Sequence, residues 1–238
     1  MSNKQVVGGA SATADALKET SEVLADIVKK AGNGTFTIGE LKRFAKRENP
    51  FSPARISKKL RSEWEAFYRD MGLDVDLSGV AVPDNPGGFD RVIIVAEGLT
   101  IEKVIAACRK YFKVWVYRED LDKAITENER TPANGSYAIR VRERVEADEE
   151  LKNLSGEDVK ARAIATETLL ERLLHELKYF RETGKHLDVS NVTLASGSRY
   201  SVGYVPGVDW DSYYGKLCVY GCSPSHRGGL LRSRAVVS

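Results

Sequence analysis

The sequence predicts an α+β fold, and three observations predict it. Apolar residues recur at helical spacing through the first third of the 238 residues. β-Branched runs and strict alternation take over from Arg91. The last forty-eight residues, Asn191 to Ser238, then change composition altogether, with no Glu and a single Lys. The length allows one large domain or two small ones.

Residues 1–12 are small and polar and are expected to be loose. Thr13 to Lys30 reads as a helix, with Leu17, Leu24, Ile27 and Val28 at helical spacing and Gly32-Asn33-Gly34 as its stop. Thr37 to Lys46 is a short second helix. Ser52-Pro53, an N-cap residue before proline, predicts the start of a third. Its stripe is Ile56, Leu60, Trp64, Phe67, Tyr68 and Met71, and Gly72 ends it. Residues 1–82 are thus a helical N-terminal region. Pro83 to Gly88 is rich in Pro, Gly, Asp and Asn and is the expected linker. A compact strand–helix–strand unit follows over 89–136. It has strands at Arg91–Ala96 and Lys113–Tyr117 and a helix capped by Thr100, with Ile101, Val104, Ile105 and Cys108 inward. It offers no glycine-rich phosphate loop, and Glu97 stands where a phosphate would sit, which rejects a dinucleotide site. Asn134-Gly135 signals a turn before an alternating strand at Tyr137–Arg142. Ser155 opens a short helix. Thr166 or Thr168 opens a longer one with Leu169, Leu170, Leu173, Leu174, Leu177 and Phe180 inward, stopped by Gly184.

Composition narrows the function classes. The net charge of +2 gives no global basic field, so nucleic acid is disfavoured as a partner. The basic helices around Lys42, Arg43, Lys46, Arg47, Arg55, Lys58, Lys59 and Arg61 interleave with Glu and Asp, as solvated faces do. No run of eighteen apolar residues predicts a membrane span. Three cysteines are too few for a disulfide scaffold, and the N-terminus lacks a secretory apolar core. Synthesis in a reducing, cytoplasmic compartment is expected, with no cofactor.

The tail holds five of the ten tyrosines, seven glycines and many serines. Tyr gives a large rigid contact area at little entropic cost, and Ser and Gly present it in varied shapes, as in binding loops. In Lys216–Cys222 the alternation puts Leu217 and Val219 on a buried face and Cys218, Tyr220 and Cys222 on a displayed one. Leu230 to Val237 reads as a second strand. Ser223 to Gly229, between them, reads as a loop lying beside the displayed face. Tyr213, Tyr214, Tyr220, Cys218, Cys222, Ser225 and His226 are expected to be exposed together.

Other chemistry is weighed and set aside. His175-Glu176 lacks the second histidine of a zinc-protease helix, position 179 being Tyr, and reads as a polar-edge pair. Cys218 and Cys222 fall roughly 13 Å apart on a regular strand, at about 3.3 Å per residue, too far for one metal or a disulfide. His226 alone does not rescue that set. Asp188, Asp209 and Asp211 lack the dense oxygen series of a calcium loop and read as exposed turn residues. Cys108 reads as core. Arg232 and Arg234, with Arg199, are expected to form buried ion pairs or bonds to loop carbonyls that hold the tail's shape.

The run Leu194-Ala-Ser-Gly-Ser-Arg199, then Gly203-Tyr-Val-Pro206, Asp209-Trp210 and Leu231-Arg-Ser-Arg-Ala-Val-Val-Ser238 resembles the C-terminal region of diversity-generating retroelement variable proteins, especially those of archaea and small-genome bacteria. The resemblance covers roughly residues 137–238. It implies a C-type-lectin-like domain, related to the formylglycine-generating-enzyme fold, with a variable region at about 199–230. In that family a reverse transcriptase rewrites adenines at the 3′ end of the gene. Asparagine-type codons then yield Tyr, Ser, Gly, Asp, His, Cys, Arg, Val or Leu, never Lys, Glu, Gln, Trp or Met. The implied variable, ligand-binding positions are Tyr204, Gly207, Asp209, Asp211, Ser212, Tyr213, Tyr214, Cys218, Tyr220, Gly221, Cys222, Ser223, Ser225, His226, Arg227, Gly228 and Gly229. Arg199, Trp210, Leu217, Val219, Arg232 and Arg234 would be fixed scaffold, with Lys216 and Pro224 also constant. The implied protein is a non-enzymatic binder of a macromolecular ligand. Its N-terminal region would attach it to a larger assembly or another protomer. Two further readings stand beside it: a formylglycine-generating-type oxidase using Cys218 and Cys222, and a nucleic-acid-binding module using the basic helices at 38–69.

Overall fold

The structure, a computed structural model, describes residues 9–35, 37–46 and 54–238. They divide into two units, Met1–Ser52 and Pro53–Ser238. The first holds α1 (Gly9–Gly32) and α2 (Ile38–Ala45). The first helix starts at Gly9, earlier than the composition suggested. Thr37 caps α2 in a reciprocal box with Glu40, each side chain bonding the other's backbone N–H.

In the second unit, β1 (Ala54–Arg55) pairs antiparallel with β2 (Ala81–Val82). The helix expected from Ser52-Pro53 therefore begins later, as α3 (Lys58–Asp70); Ser52 and Pro53 themselves lie outside the described residues. The backbone of 54–56 is spent on this ladder, Ile56 N–H reaching Val80 O, so the cap falls to Ser57, which accepts from Leu60 N–H. Trp64, Phe67 and Tyr68 are buried as the stripe predicts. Gly72 ends the helix at φ +84, and Leu73 N–H closes back on Tyr68 O. The Tyr68 hydroxyl donates to Ile94 O at 2.6 Å and accepts from Ala96 N–H at 3.0 Å. This ties α3 into the core of the following segment, so 83–88 is a loop inside the second unit, and the division falls at 52/53 instead.

The expected strand–helix–strand does not close on itself. β3 (Arg91–Val95) pairs antiparallel with β6 (Tyr137–Val141). Beyond α4 (Ile101–Cys108), β4 (Lys113–Val116) leaves to edge a different sheet. The sequences explain the split. Ile93, Ile94 and Val95 are wholly buried, whereas β4 alternates exposed and half-buried, as an edge strand with one wet face does.

The chain continues through α5 (Leu121–Ala124), β5 (Ile125–Asn128), α6 (Gly156–Ala161) and α7 (Leu169–Thr183). Thr168 caps α7 with Glu171, and Gly184, left-handed at φ +69, ends it. The tail supplies β7 (Val192–Leu194), β8 (Ser198–Tyr200), β9 (Val205–Asp211), β10 (Lys216–Cys222) and β11 (Leu231–Arg232). The main sheet runs β11-β7-β9-β10-β4, with β5 and β8 paired separately. The expected strand Leu230–Val237 is broken into three contacts: Leu231 and Arg232 pair with Val192 and Thr193, Ala235 bridges Thr166, and Val237 bridges Arg140. It also does not neighbour β10, because β7 and β9 intervene. Its polar side chains, Arg232, Ser233 and Arg234, are buried and take partners from different elements.

Candidate ligand-binding surface

Side chains directly opposite on paired strands share a face. On the inner face of the hairpin, Leu217 opposes Trp210 and Val114, and Val219 opposes Val208 and Val116. Leu217, Val219 and Val208 are fully buried. Trp210 stacks on His186 and meets Phe112 edge-on. On the outer face, Lys216 opposes Asp211 and Lys113, Cys218 opposes Asp209 and Trp115, Tyr220 opposes Gly207, and Cys222 opposes Val205.

That outer face is graded. Toward β7 and β11 it is covered: Leu194, Val205 and Leu231 form a small second core with Val192 and Cys222 against it. Toward β4 it opens. The β9–β10 turn presents Tyr213 at 87% and Tyr214 at 64% exposure, and β4 and its continuation add Trp115 at 45% and Tyr117 at 53%. The Lys216 ammonium lies between two rings, 4.9 Å from Tyr214 and 5.6 Å from Trp115. Tyr204, Ser212, Ser223, Ser225, His226, Arg227 and Gly229 are also exposed.

Not every expected surface residue is displayed. Cys218 is only 8% exposed, because it sits between Asp209 and Trp115 on the flanking strands. Gly207 is buried, and a Cβ there would come within 2.8 Å of the Tyr220 ring. Tyr220, Cys222, Asp209, Gly221 and Gly228 are half-buried. Asp211, also half-buried, builds the turn, accepting N–H bonds from Tyr213 and Tyr214 at 3.0 Å each. Arg227 clasps Asp158 through two 2.6 Å bonds, and Pro224 O accepts from Glu157 N–H, which pins the 223–230 loop to α6.

The thiols are not activated nucleophiles. Burial raises Cys218, and burial pushes Cys222 up to about 11, with the Asp209 charge adding to both. Burial also raises the Asp209 carboxyl and the Tyr220 hydroxyl beside it. Among the described residues no cluster of His, Cys, Asp or Glu is arranged to hold a metal.

Beneath the sheet lies a buried charge network. Asp188, read from sequence as an exposed turn residue, is its hub. Its carboxylate accepts from Arg172 at 2.8 and 3.0 Å, from Arg234 at 2.7 Å, from Ala147 N–H at 2.8 Å and from the Thr193 hydroxyl. Burial would raise this carboxyl, but Arg234 and Arg172 outweigh it and hold it below its usual value. Arg234 also donates to the carbonyls of Arg144 and Val145. His175 and Glu176, expected at a polar edge, are fully buried. Glu176 takes Arg172 at 3.0 Å and His186 at 2.8 Å, while His175 Nδ1 meets Glu167 at 2.9 Å. Burial and the nearby arginines hold His175 well below its usual value, and burial pushes Glu167 up to about 7. Arg232 clasps Glu149 and Asn191. Arg199 donates to the carbonyls of Ser196, Ser198 and Gly156.

Trp115 and Tyr117 are the surface residues that sequence reasoning missed. Their signal was present in the alternation of Lys113-Val-Trp-Val-Tyr117, but nothing local shows which sheet the strand joins. Comparison with known proteins finds no matching family, no similar curated protein and no similar solved structure.

Proposed function

We propose that this is a ligand-binding protein whose C-terminal half, on a C-type-lectin-like scaffold, displays a surface diversified by a retroelement. One observation carries the reading. Along β10 and its flanking loops, several positions that the resemblance marks as variable are exposed at the open end of the sheet, and the positions it marks as scaffold are inward or structural. Tyr204, Ser212, Tyr213, Tyr214, Ser225 and His226 are exposed, whereas Leu217, Val219, Arg232 and Arg234 are buried. A rigid support under changeable side chains is what a binding surface needs. Trp115, Tyr117 and Lys216 would be its constant part, supplying aromatic area beside the variable positions.

The ligand is a protein or other macromolecule, since the exposed aromatic face is open and broad. The oxidase reading gains nothing from the site, because Cys218 is buried and both thiols are raised. The basic residues of α2 and α3 interleave with Glu and Asp, as solvated helix faces do.

The test is genomic. A near-copy of the 3′ coding segment should lie close to a reverse-transcriptase gene, and differences between copy and gene should fall only at adenines of the copy. Differences scattered over all four bases, or codons for Leu217, Val219, Arg232 and Arg234 changing as often as those for Tyr213 and Tyr214, would defeat the reading.

A further inference from the structure

We propose that the cavity beyond the end of β4 is a docking pocket for an acidic side chain of a protein partner. It is walled by Tyr117, Arg118, Tyr200, Ser201, Tyr204 and Gly221, all within the second unit, and measures about 200 Å³. That is below the roughly 300–1,000 Å³ of a small-molecule site, so it suits one side chain better than a whole small ligand. Its walls are preformed. Tyr200 N–H donates to Tyr204 O at 2.9 Å, Gly203 N–H to Tyr200 O at 2.7 Å and Ser201 N–H to Ala124 O at 3.0 Å. Gly221 keeps the cavity open. A Cβ there would stand 3.1 Å from the Tyr204 ring and 3.7 Å from the Tyr200 ring, so a side chain would grow between two of the walls.

The polar groups choose the occupant. The Arg118 guanidinium lies 5.0 Å from the centre of the Tyr117 ring, and no ion pair holds it among the described residues. Glu119 and Asp120 follow it but do not line the cavity, and Asp120 is held by Lys123 at 2.5 Å. Tyr200 is 4% exposed, and its hydroxyl is buried with no hydrogen-bond partner among the described residues. Burial pushes that hydroxyl up to about 12, so it keeps its proton as a donor, and the Arg118 charge acts on it. No Asp or Glu lines the cavity. A cation and a buried hydroxyl that both lack an acceptor select an anion. A carboxylate matches the planar guanidinium fork and cancels its single charge. A phosphate dianion would leave one charge uncompensated beside three aromatic rings.

This deepens the proposed function and rests on its reading of the surface as a binding face, though not on how that face varies. Tyr204 and Gly221 are among the implied variable positions, whereas Tyr117, Arg118 and Tyr200 are not. The donors are then constant, and position 221 gates them: glycine opens the pocket and a large residue closes it.

Amide nitrogen-15 spectra of the full chain, titrated with the peptide acetyl-Gly-Glu-Gly-amide, test the pocket. The Ser201 and Val202 amides should shift saturably. The control acetyl-Gly-Gln-Gly-amide should bind about tenfold more weakly or worse, the loss expected for a charge-assisted pair. Arg118→Gln, at an exposed side chain, should weaken the Glu peptide by about the same factor, and Gly221→Leu should abolish its shifts. Thermal melts like wild type show that both variants fold; should Gly221→Leu melt lower, Arg118→Gln decides alone. Unmoved amides, equal affinity for the Gln peptide, or undiminished binding by Arg118→Gln overturns the proposal. Tighter binding of inorganic phosphate than of the Glu peptide makes this a general anion site and overturns the side-chain assignment. None of these outcomes bears on whether the gene has a diversifying copy nearby, and a missing copy would leave the titrations standing.

Discussion

Arg234 and Asp188 show how much a single residue position in the tail is constrained. Arg234→Met leaves the Arg144 carbonyl without its donor, the Val145 carbonyl with only the Asp188 N–H, and the Asp188 carboxylate with half its cations. Breaking a buried pair in this way typically costs about 3–5 kcal/mol. Tyr213→Ser, on a side chain 87% exposed, should stay within about 0.5 kcal/mol. Urea unfolding of both variants separates them, and equal midpoints would mean that the network is not a brace. Glu167 gives a pH signature. Its folded carboxyl stands at about 7, above its unfolded value, so the stability it contributes is whole below the ordinary carboxylate range. That contribution is lost as pH rises through about 7. The melting temperature of wild type should therefore fall, relative to Glu167→Gln, between pH 5 and pH 8 (roughly the window spanning both states of the carboxyl). A parallel pair of curves rejects the raised carboxyl. None of this network was legible in the sequence beyond Arg232 and Arg234. A buried Glu looks like a solvated one until its partners are known; those of Asp188 lie on several elements, and Glu176 adds to its helix neighbour Arg172 the distant His186.

At the scale of elements, periodicity located most helices and four strands with accuracy, the expected strands at Arg91–Ala96, Lys113–Tyr117 and Tyr137–Arg142 matching β3, β4 and β6 to within one residue. The Lys216–Cys222 alternation matches β10, and Thr168 and Gly184 bound α7. β9 escaped because Pro206 and Gly207 weaken its strand signal, yet both fit. Pro206 needs no ladder N–H, its carbonyl accepting from Ala195, and Gly207 makes room for Tyr220. Gly207→Asp should therefore destabilise, although aspartate is a permitted product of adenine rewriting. The ring of Tyr220 yields only by shifting its hydroxyl away from the Asp209 carboxyl that it bonds. Leu217→Ala should cost about 2–5 kcal/mol by opening a cavity under the sheet. If both melt like wild type, the hairpin is looser than its packing implies. Strand pairing was the least legible feature. β4 follows α4 in sequence but joins β10, and no local pattern encodes that choice.

For the whole molecule, the architecture separates what must stay from what can change. The main core, the charge network and the inner face of the sheet form one continuous support. The open end of the outer face rests on it without contributing much to it. Replacing Tyr204, Ser212, Tyr213, Tyr214, Ser225 and His226 together with other small or polar residues should therefore leave the melting temperature nearly unchanged. Each site is worth within about 0.5 kcal/mol and the signs are mixed. Trp115→Ser should also leave stability nearly intact. It should nonetheless weaken every binder selected from a library of those six positions, because it removes the constant ring beside Lys216 whatever the variable side chains are. The decisive comparison is two libraries displayed on the full chain, one with Trp115 and one with Trp115→Ser, each selected on the same immobilised lysozyme. Weaker binders from the second library, at equal display and equal thermal stability, would place Trp115 in the contact. Equal affinities would confine the ligand to the turn and loops and remove β4 from the binding surface.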